Sequence, residues 1–283
     1  MYGDSAAPTR RATKVLAAVA GLVALTSCTS PALVAHIPPA PTASTSATAS
    51  TPPQAPNTRD DCTPPALTTT PAAESPTAQR PDPSWARARP QDRKTLESLT
   101  VCPRPATVRE SVPGYQRSLF GPKGWPDVDG NGCRQRPDVL WRDLDRTRPY
   151  TLTTRDRCHQ IVTSGTWIDS YTGTAITANT PADVARLVQI DHRVSLQEAY
   201  ASGARSWTAE QRRQFANWPA NLAAIDASRN ASKSADDAAA WRPAKAYQCT
   251  FAQNVIDTKS QWHLAIDPSE KQWLNRMLDT CIQ

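Results

Sequence analysis

Gln189-Ile190-Asp191-His192-Arg193-Val194-Ser195-Leu196 is the stretch on which the fold and the chemistry turn. The apolar run 185–190 predicts a strand that delivers a carboxylate and an imidazole side by side. Successive side chains on extended backbone point to opposite faces, so Asp191 and His192 diverge, and one can face a cation while the other faces a water. Imidazole titrates near neutrality and suits proton removal from an attacking water. Working outward, Asn221-Leu222 follows 29 residues after His192 and opens a short strand candidate at 222–225. Asn230-Ala231-Ser232-Lys233-Ser234 then starts a helix candidate over 230–240. Taken singly, each has a plain structural reading: Asp191-His192 as a capped turn with a hydrogen-bonded histidine, and Asn230 as a favoured helix N-cap.

The neighbouring segments form an ordered series. It runs through Gly114-Tyr115-Gln116-Arg117-Ser118-Leu119-Phe120-Gly121, Trp125-Pro126-Asp127-Val128-Asp129-Gly130-Asn131-Gly132-Cys133, Arg142-Asp143-Leu144, Ser164-Gly165-Thr166-Trp167 and Tyr171-Thr172-Gly173. Beyond Asp191-His192 it continues with Ser202-Gly203-Ala204, Phe215-Ala216-Asn217, Asn221-Leu222, Asn230 with Lys233, and Trp241-Arg242-Pro243. Over roughly residues 92–283 this series resembles the HNH endonuclease superfamily, in particular the GmrSD-type restriction endonuclease C-terminal domain in its secreted actinobacterial lipoprotein form. The resemblance implies an α+β domain with a ββα-metal (HNH) core at about 185–242, embedded in a larger disulfide-stapled domain. It implies His192 as general base and Asp191 and Asn230 as ligands of one divalent cation, Mg²⁺ or Mn²⁺. Asn221 would fix the loop that orients His192, and Lys233 and Arg193 would contact the substrate phosphate. The substrate would be nucleic acid, DNA in preference to RNA, and the alternative is a non-catalytic module that binds a polyanion on the same scaffold. Three positions depart from the family pattern: Trp218 where an acid is common, Ser195 where proline is common and Val255 where tryptophan is frequent.

The N-terminus predicts export. Arg10, Arg11 and Lys14 precede an apolar stretch over 15–25, too short to span a bilayer, and Leu25-Thr26-Ser27-Cys28 resembles a lipobox with Cys28 as the acylated residue. The reading is a signal peptide over 1–28, a Pro/Ala/Ser/Thr-rich tether over 29–90 and the nuclease-like domain over 91–283. That places a monomer, with no protein partner evident, on the outer face of the cytoplasmic membrane, held by lipid, or in the medium. Net charge is +6, and from residue 92 on 25 basic residues face 21 acidic ones. The balance permits a polyanionic partner without demanding one. Removing Cys28 from seven cysteines leaves six, an even number that fits disulfides in an exported chain. Sequence neighbourhood favours Cys133–Cys158 and Cys249–Cys281, leaving Cys62–Cys102 by elimination.

Asp127-Val128-Asp129-Gly130-Asn131-Gly132, with Asp138 at the twelfth place, resembles a calcium loop. Arg134 and Arg136 inside it, and the lack of clear flanking helices, favour an Asx-turn network stapled by Cys133. The seven arginines from Arg134 to Arg157 are interleaved with four acids and read as a self-paired surface. His159 and His263 read as structural, and helices are expected at 91–99, 195–202, 208–215 and 268–278.

Overall fold

The structure, a computed structural model, describes residues 64–71, 86–103, 112–122 and 124–282. All of these belong to the unit spanning Gln54–Gln283; the expected signal peptide and Cys28 lie outside them. Among the described residues there are eight α-helices and five strands: α1 (Asp92–Ser98), α2 (Gln135–Asp143), β1 (Thr151–Arg155), β2 (Cys158–Ile168), β3 (Ala175–Ala178), α3 (Pro181–Leu187), β4 (Val188–His192), α4 (Leu196–Ala201), α5 (Ala209–Ala216), β5 (Leu222–Asp226), α6 (Ala227–Lys233), α7 (Gln248–Gln261) and α8 (Pro268–Leu278). Helices and strands mix along the chain, and the strands pair antiparallel in two small sheets, so the α+β class holds.

One sheet has the order β1-β2-β3 and the other is the β4-β5 pair. The hairpin registers Asp191 opposite Ala223 and His192 opposite Leu222, and it separates two apolar cores. Ile190, Leu222 and Ala224 pack with Trp167 and Val139 of β2 and α2. Ala223 and Ile225 turn the other way, into a helical core with Phe215, Phe251 and Trp262. β5 therefore alternates between two buried faces, which is why it reads as a nearly continuous apolar run, whereas β4 carries Gln189 and Asp191 on the face opposite Val188 and Ile190.

Local chemistry accounts for the helix boundaries. Thr180 caps α3 through its side chain, which accepts from Asp183 N, with Pro181 at the first turn. Thr208 and Gln211 form a reciprocal capping box on α5, and Ser195 caps α4 by accepting from Glu198 N. The apolar run 185–190 is divided between two elements, because α3 continues through Leu187 and β4 starts only at Val188. The helix expected from Asn230 starts earlier, at Ala227, with Asp226 as its cap, so Asn230 lies inside α6 and is no N-cap. Residues 64–71 and 86–90, expected as tether, pack on the domain. Leu67 is buried in the helical core, and Arg89 pairs with Asp92 and Asp257.

The disulfides Cys133–Cys158 and Cys249–Cys281 are both formed. The first ties the segment before α2 to the start of β2, and the second ties the chain after α8 to the start of α7. Cys102 is also disulfide-bonded, while its expected partner Cys62 lies outside the described residues. His263 Nδ1 donates to the Ala66 carbonyl, a structural role as expected.

Candidate active site

The strand alternation of β4 sends Asp191 and His192 into different surroundings. Asp191, nearly buried, faces the helical core, where the hydroxyl of Tyr171 donates to its Oδ2. Lys233 reaches across from α6, its fully buried Nζ 3.1 Å from Asp191 Oδ2 and 2.8 Å from the His192 carbonyl oxygen. Burial and the neighbouring Asp191 carboxylate hold the Tyr171 hydroxyl well above its usual range, so it remains a donor. Tyr171 is delivered by a tight turn after β2 in which Tyr171 N donates to Asp169 Oδ1 and Gly173 N to the Asp169 carbonyl. Gly173 has φ +75°, and a Cβ there would collide with the Tyr247 hydroxyl at 1.9 Å. A larger residue would displace the turn that carries Tyr171.

His192 faces the other way. Its ring stacks on Trp125 with centroids 5.8 Å apart and an 18° interplanar angle. Its Nε2 lies 2.8 Å from the Ala216 carbonyl at the end of α5. A carbonyl only accepts, so Nε2 carries the hydrogen and a neutral ring keeps its lone pair on Nδ1. Burial lowers the imidazole pKa from 6.5 to about 4, opposed by the Ala216 hydrogen bond and Asp191 and reinforced by Arg117 and Lys233. The neutral, proton-accepting form therefore prevails at pH 7. Trp125 and Ala216 also line a shallow cleft that includes Arg117, Pro122, Arg213 and Asn217. Arg117 is exposed there, whereas Arg213 is engaged by Glu210.

Asn221 clamps the loop leaving β4. Its Oδ1 accepts from Val194 N at 2.8 Å and its Nδ2 donates to the Val194 carbonyl at 3.0 Å, while Arg193 N donates to the Asn221 carbonyl. A fully buried amide satisfied on both sides is a rigid fastener, and its loss would orphan two backbone groups. Arg142 and Asp143 hold the other side of this strand start. Arg142 donates to the Pro219 and Leu222 carbonyls, and Asp143 Oδ2 accepts from Ala224 N.

Two expected phosphate contacts are corrected. Arg193 is buried, and its guanidinium donates to the Ala220 and Leu222 carbonyls, so it fastens backbone and does not reach a surface. Lys233 is the buried partner of Asp191. Asn230 sits one turn before Lys233 on α6, half-buried between exposed neighbours, and so on the helix face that turns toward β4. Tyr171, Trp125 and Arg117 were not singled out from the sequence, although each stands in one of the quoted segments. Of the departures from the family pattern, Ser195 became a helix cap, and Val255 and Trp218 became core residues.

No helix of the described residues is long and apolar enough to cross a membrane. A secreted protein of Arthroderma benhamiae, itself described as uncharacterized, is 36% identical over 180 residues, covering 62% of this chain and 80% of its own. No solved structure gives a significant match. The family model for the C-terminal domain of GmrSD restriction endonucleases matches residues 135–277, from the start of α2 almost to the end of α8 and across the whole β4-β5-α6 unit. With half of its length under that match, the chain belongs to the GmrSD restriction endonuclease C-terminal domain family.

Proposed function

We propose that this protein is an exported, metal-dependent HNH-type endonuclease that hydrolyses phosphodiester bonds of DNA, with RNA a secondary substrate. The observation that carries the reading is His192, held neutral, fixed in its Nε2–H tautomer by the Ala216 carbonyl, and stacked on Trp125 beside an arginine-lined cleft. Its Nδ1 takes a proton from a water as that oxygen bonds to phosphorus. The P–O bond to the leaving oxygen breaks, and the leaving oxygen is protonated from solvent. Asn221 acts as a positioning residue by holding Val194.

The donor set behind His192 fits a hard divalent cation. Asp191 offers carboxylate oxygens and Asn230 an amide oxygen, the hard donors such an ion prefers, and the ion would take over the Asp191 oxygens from the Lys233 ammonium that now lies against them. Asp191 and Asn230 would hold Mg²⁺, with Mn²⁺ the alternative, and the bound ion would neutralise charge building on the phosphate. Arg117 takes the phosphate-binding role expected of Arg193, because it is exposed on the cleft beside His192.

The deciding experiment is Mg²⁺-dependent plasmid nicking by the wild type and by His192→Ala, with and without EDTA. The wild type should nick and EDTA should stop it. His192→Ala should lose about 10²- to 10⁴-fold in rate with its unfolding transition unchanged. Equal degradation by both proteins rejects the assignment; DNA binding without turnover in the wild type supports the polyanion-binding alternative instead. The disulfide-bonded cysteines and the secreted relative support export, and acylation of Cys28 accounts for the expected anchor. Radiolabelled palmitate should be incorporated by the wild type and not by Cys28→Ala.

A further inference from the structure

The 127–138 loop, read from sequence as an Asx-turn network, carries more unanswered oxygen than such a network needs. The network is present: Asp127 accepts from Gly130 N and Gly132 N, Asp129 from Asn131 N, and Asn131 Oδ1 from Cys133 N. Beneath it lies Asp138, fully buried. Its Oδ1 accepts from Gln160 and, at 3.3 Å, from Asn131, whose amide also donates to Asp129. The second oxygen of Asp138 has no hydrogen-bond partner, and neither amide atom of the fully buried Gln135 has one. Asp138 thus touches the loop through Oδ1 and buries its second oxygen without a partner. Burial raises its pKa, and the like charges of Asp129 and Asp127 push the same way. Burying polar atoms without partners is costly.

The structure answers two of the objections raised by the sequence, Arg136 and the helix that follows the loop. Arg136 points away from the loop and donates to the Val184 and Val188 carbonyls at the end of α3. A flanking helix exists, since α2 begins at Gln135, the ninth place of the loop. The spacing follows a calcium-binding loop, with Asp127, Asp129 and Asn131 at places one, three and five, the Cys133 carbonyl at seven, Gln135 at nine and Asp138 at twelve. Gly132 holds place six with φ +92°, and a Cβ there would meet Arg157 at 2.6 Å.

We propose that residues 127–138 form a structural Ca²⁺ site, distinct from the His192 region, in which side-chain oxygens of Asp127, Asp129, Asn131 and Asp138, together with Gln135, surround the ion. Oxygen donors of this number and flexibility suit Ca²⁺ over Mg²⁺, which keeps most of its waters. Because Trp125 lies two residues before the loop, joined to it by Pro126, and stacks on His192, an ordered loop also fixes the indole over the imidazole.

The test is calorimetric titration of the chelator-stripped, disulfide-intact full chain with CaCl₂, alongside thermal unfolding. The wild type should bind one ion with Kd of about 10⁻³ M or tighter, as expected for an extracellular module, and its Tm should rise by about 5 °C at saturation. Asp129→Ala, an exposed position, and Asp138→Asn, a buried isostere, should each weaken binding at least about tenfold, whereas His192→Ala should bind as the wild type does. Absence of saturable heat and of a Tm shift in the wild type overturns the proposal. So does wild-type affinity in both loop variants, or loss of the calcium response in Asp191→Asn alone.

Discussion

The two faces of β4 carry adjacent residues into opposite conditions. On one face Asp191 is enclosed by Tyr171 and Lys233, its oxygens engaged by a buried hydroxyl and a buried ammonium. On the other, His192 has one nitrogen tied to a backbone carbonyl and the ring covered by an indole beside a cleft. The first face concentrates charge in a closed space, where removing one partner leaves the other exposed to a low dielectric. The second excludes charge from a ring and leaves a lone pair to accept a proton. A strand with two buried faces is the simplest scaffold that keeps such opposed requirements one residue apart, because the pleat alone separates them.

The sharpest way to break this contrast is to unbalance the closed face. Lys233→Met leaves the Asp191 carboxylate buried without its ion pair, and denaturant unfolding should record a loss of about 3–5 kcal/mol. Adding Asp191→Leu should recover most of it, and a single variant as stable as the wild type would show that this face is not charge-locked. Asn221→Ala releases both backbone groups of Val194 and should cost about 1–3 kcal/mol, with a larger loss in kcat than in KM if the clamp positions His192. Trp125→Ala tests the open face. Uncovering the ring should return its pKa from about 4 toward 6.5. The rate at pH 5 should fall by about tenfold while the rate at pH 8 changes little. The same shift has a stability consequence of fixed sign. Because the folded ring has the lower pKa, its contribution is complete above pH 6.5 and is lost as pH falls toward 4, where the unfolded chain binds the proton and the folded one does not. Thermal unfolding across that window should show the slope in the wild type and a shallower one in Trp125→Ala.

What could be read from the sequence follows from where its signals are local. Thr208 and Gln211 announced α5 because a capping box is a contact between near neighbours, and the strand of Leu222 was legible as an apolar run. The pairing of Cys133 with Cys158 and of Cys249 with Cys281 was also near in sequence. The longest helix, α7, escaped notice because Tyr247 gives it no side-chain cap and Thr250, Val255, Ile256 and Thr258 are β-branched. β1 is exposed along its whole length and has no apolar alternation to betray it. In the candidate site, Asp191, His192 and Asn221 were identifiable as residue types set in an ordered pattern. The partners of Asp191 come from 20 residues upstream and 42 downstream, and only the fold brings them together. The same holds for Arg193, whose position beside His192 suggested a phosphate contact until its side chain was found spanning to the Leu222 carbonyl.

Asp226 both closes the β4-β5 ladder, opposite Val188, and caps α6 through Ser228 N and Arg229 N, so the hairpin and the helix share a single residue with no linker between them. A one-codon insertion or deletion within β5 therefore has nowhere to be absorbed: it would slip the strand's register against β4 and, at the same stroke, rotate α6 by about 100° relative to the strand pair. Length variation among natural relatives should accordingly gather outside 222–233, in segments such as the one joining β1 to β2, and a library of random single-residue indels should find almost no active members inside it.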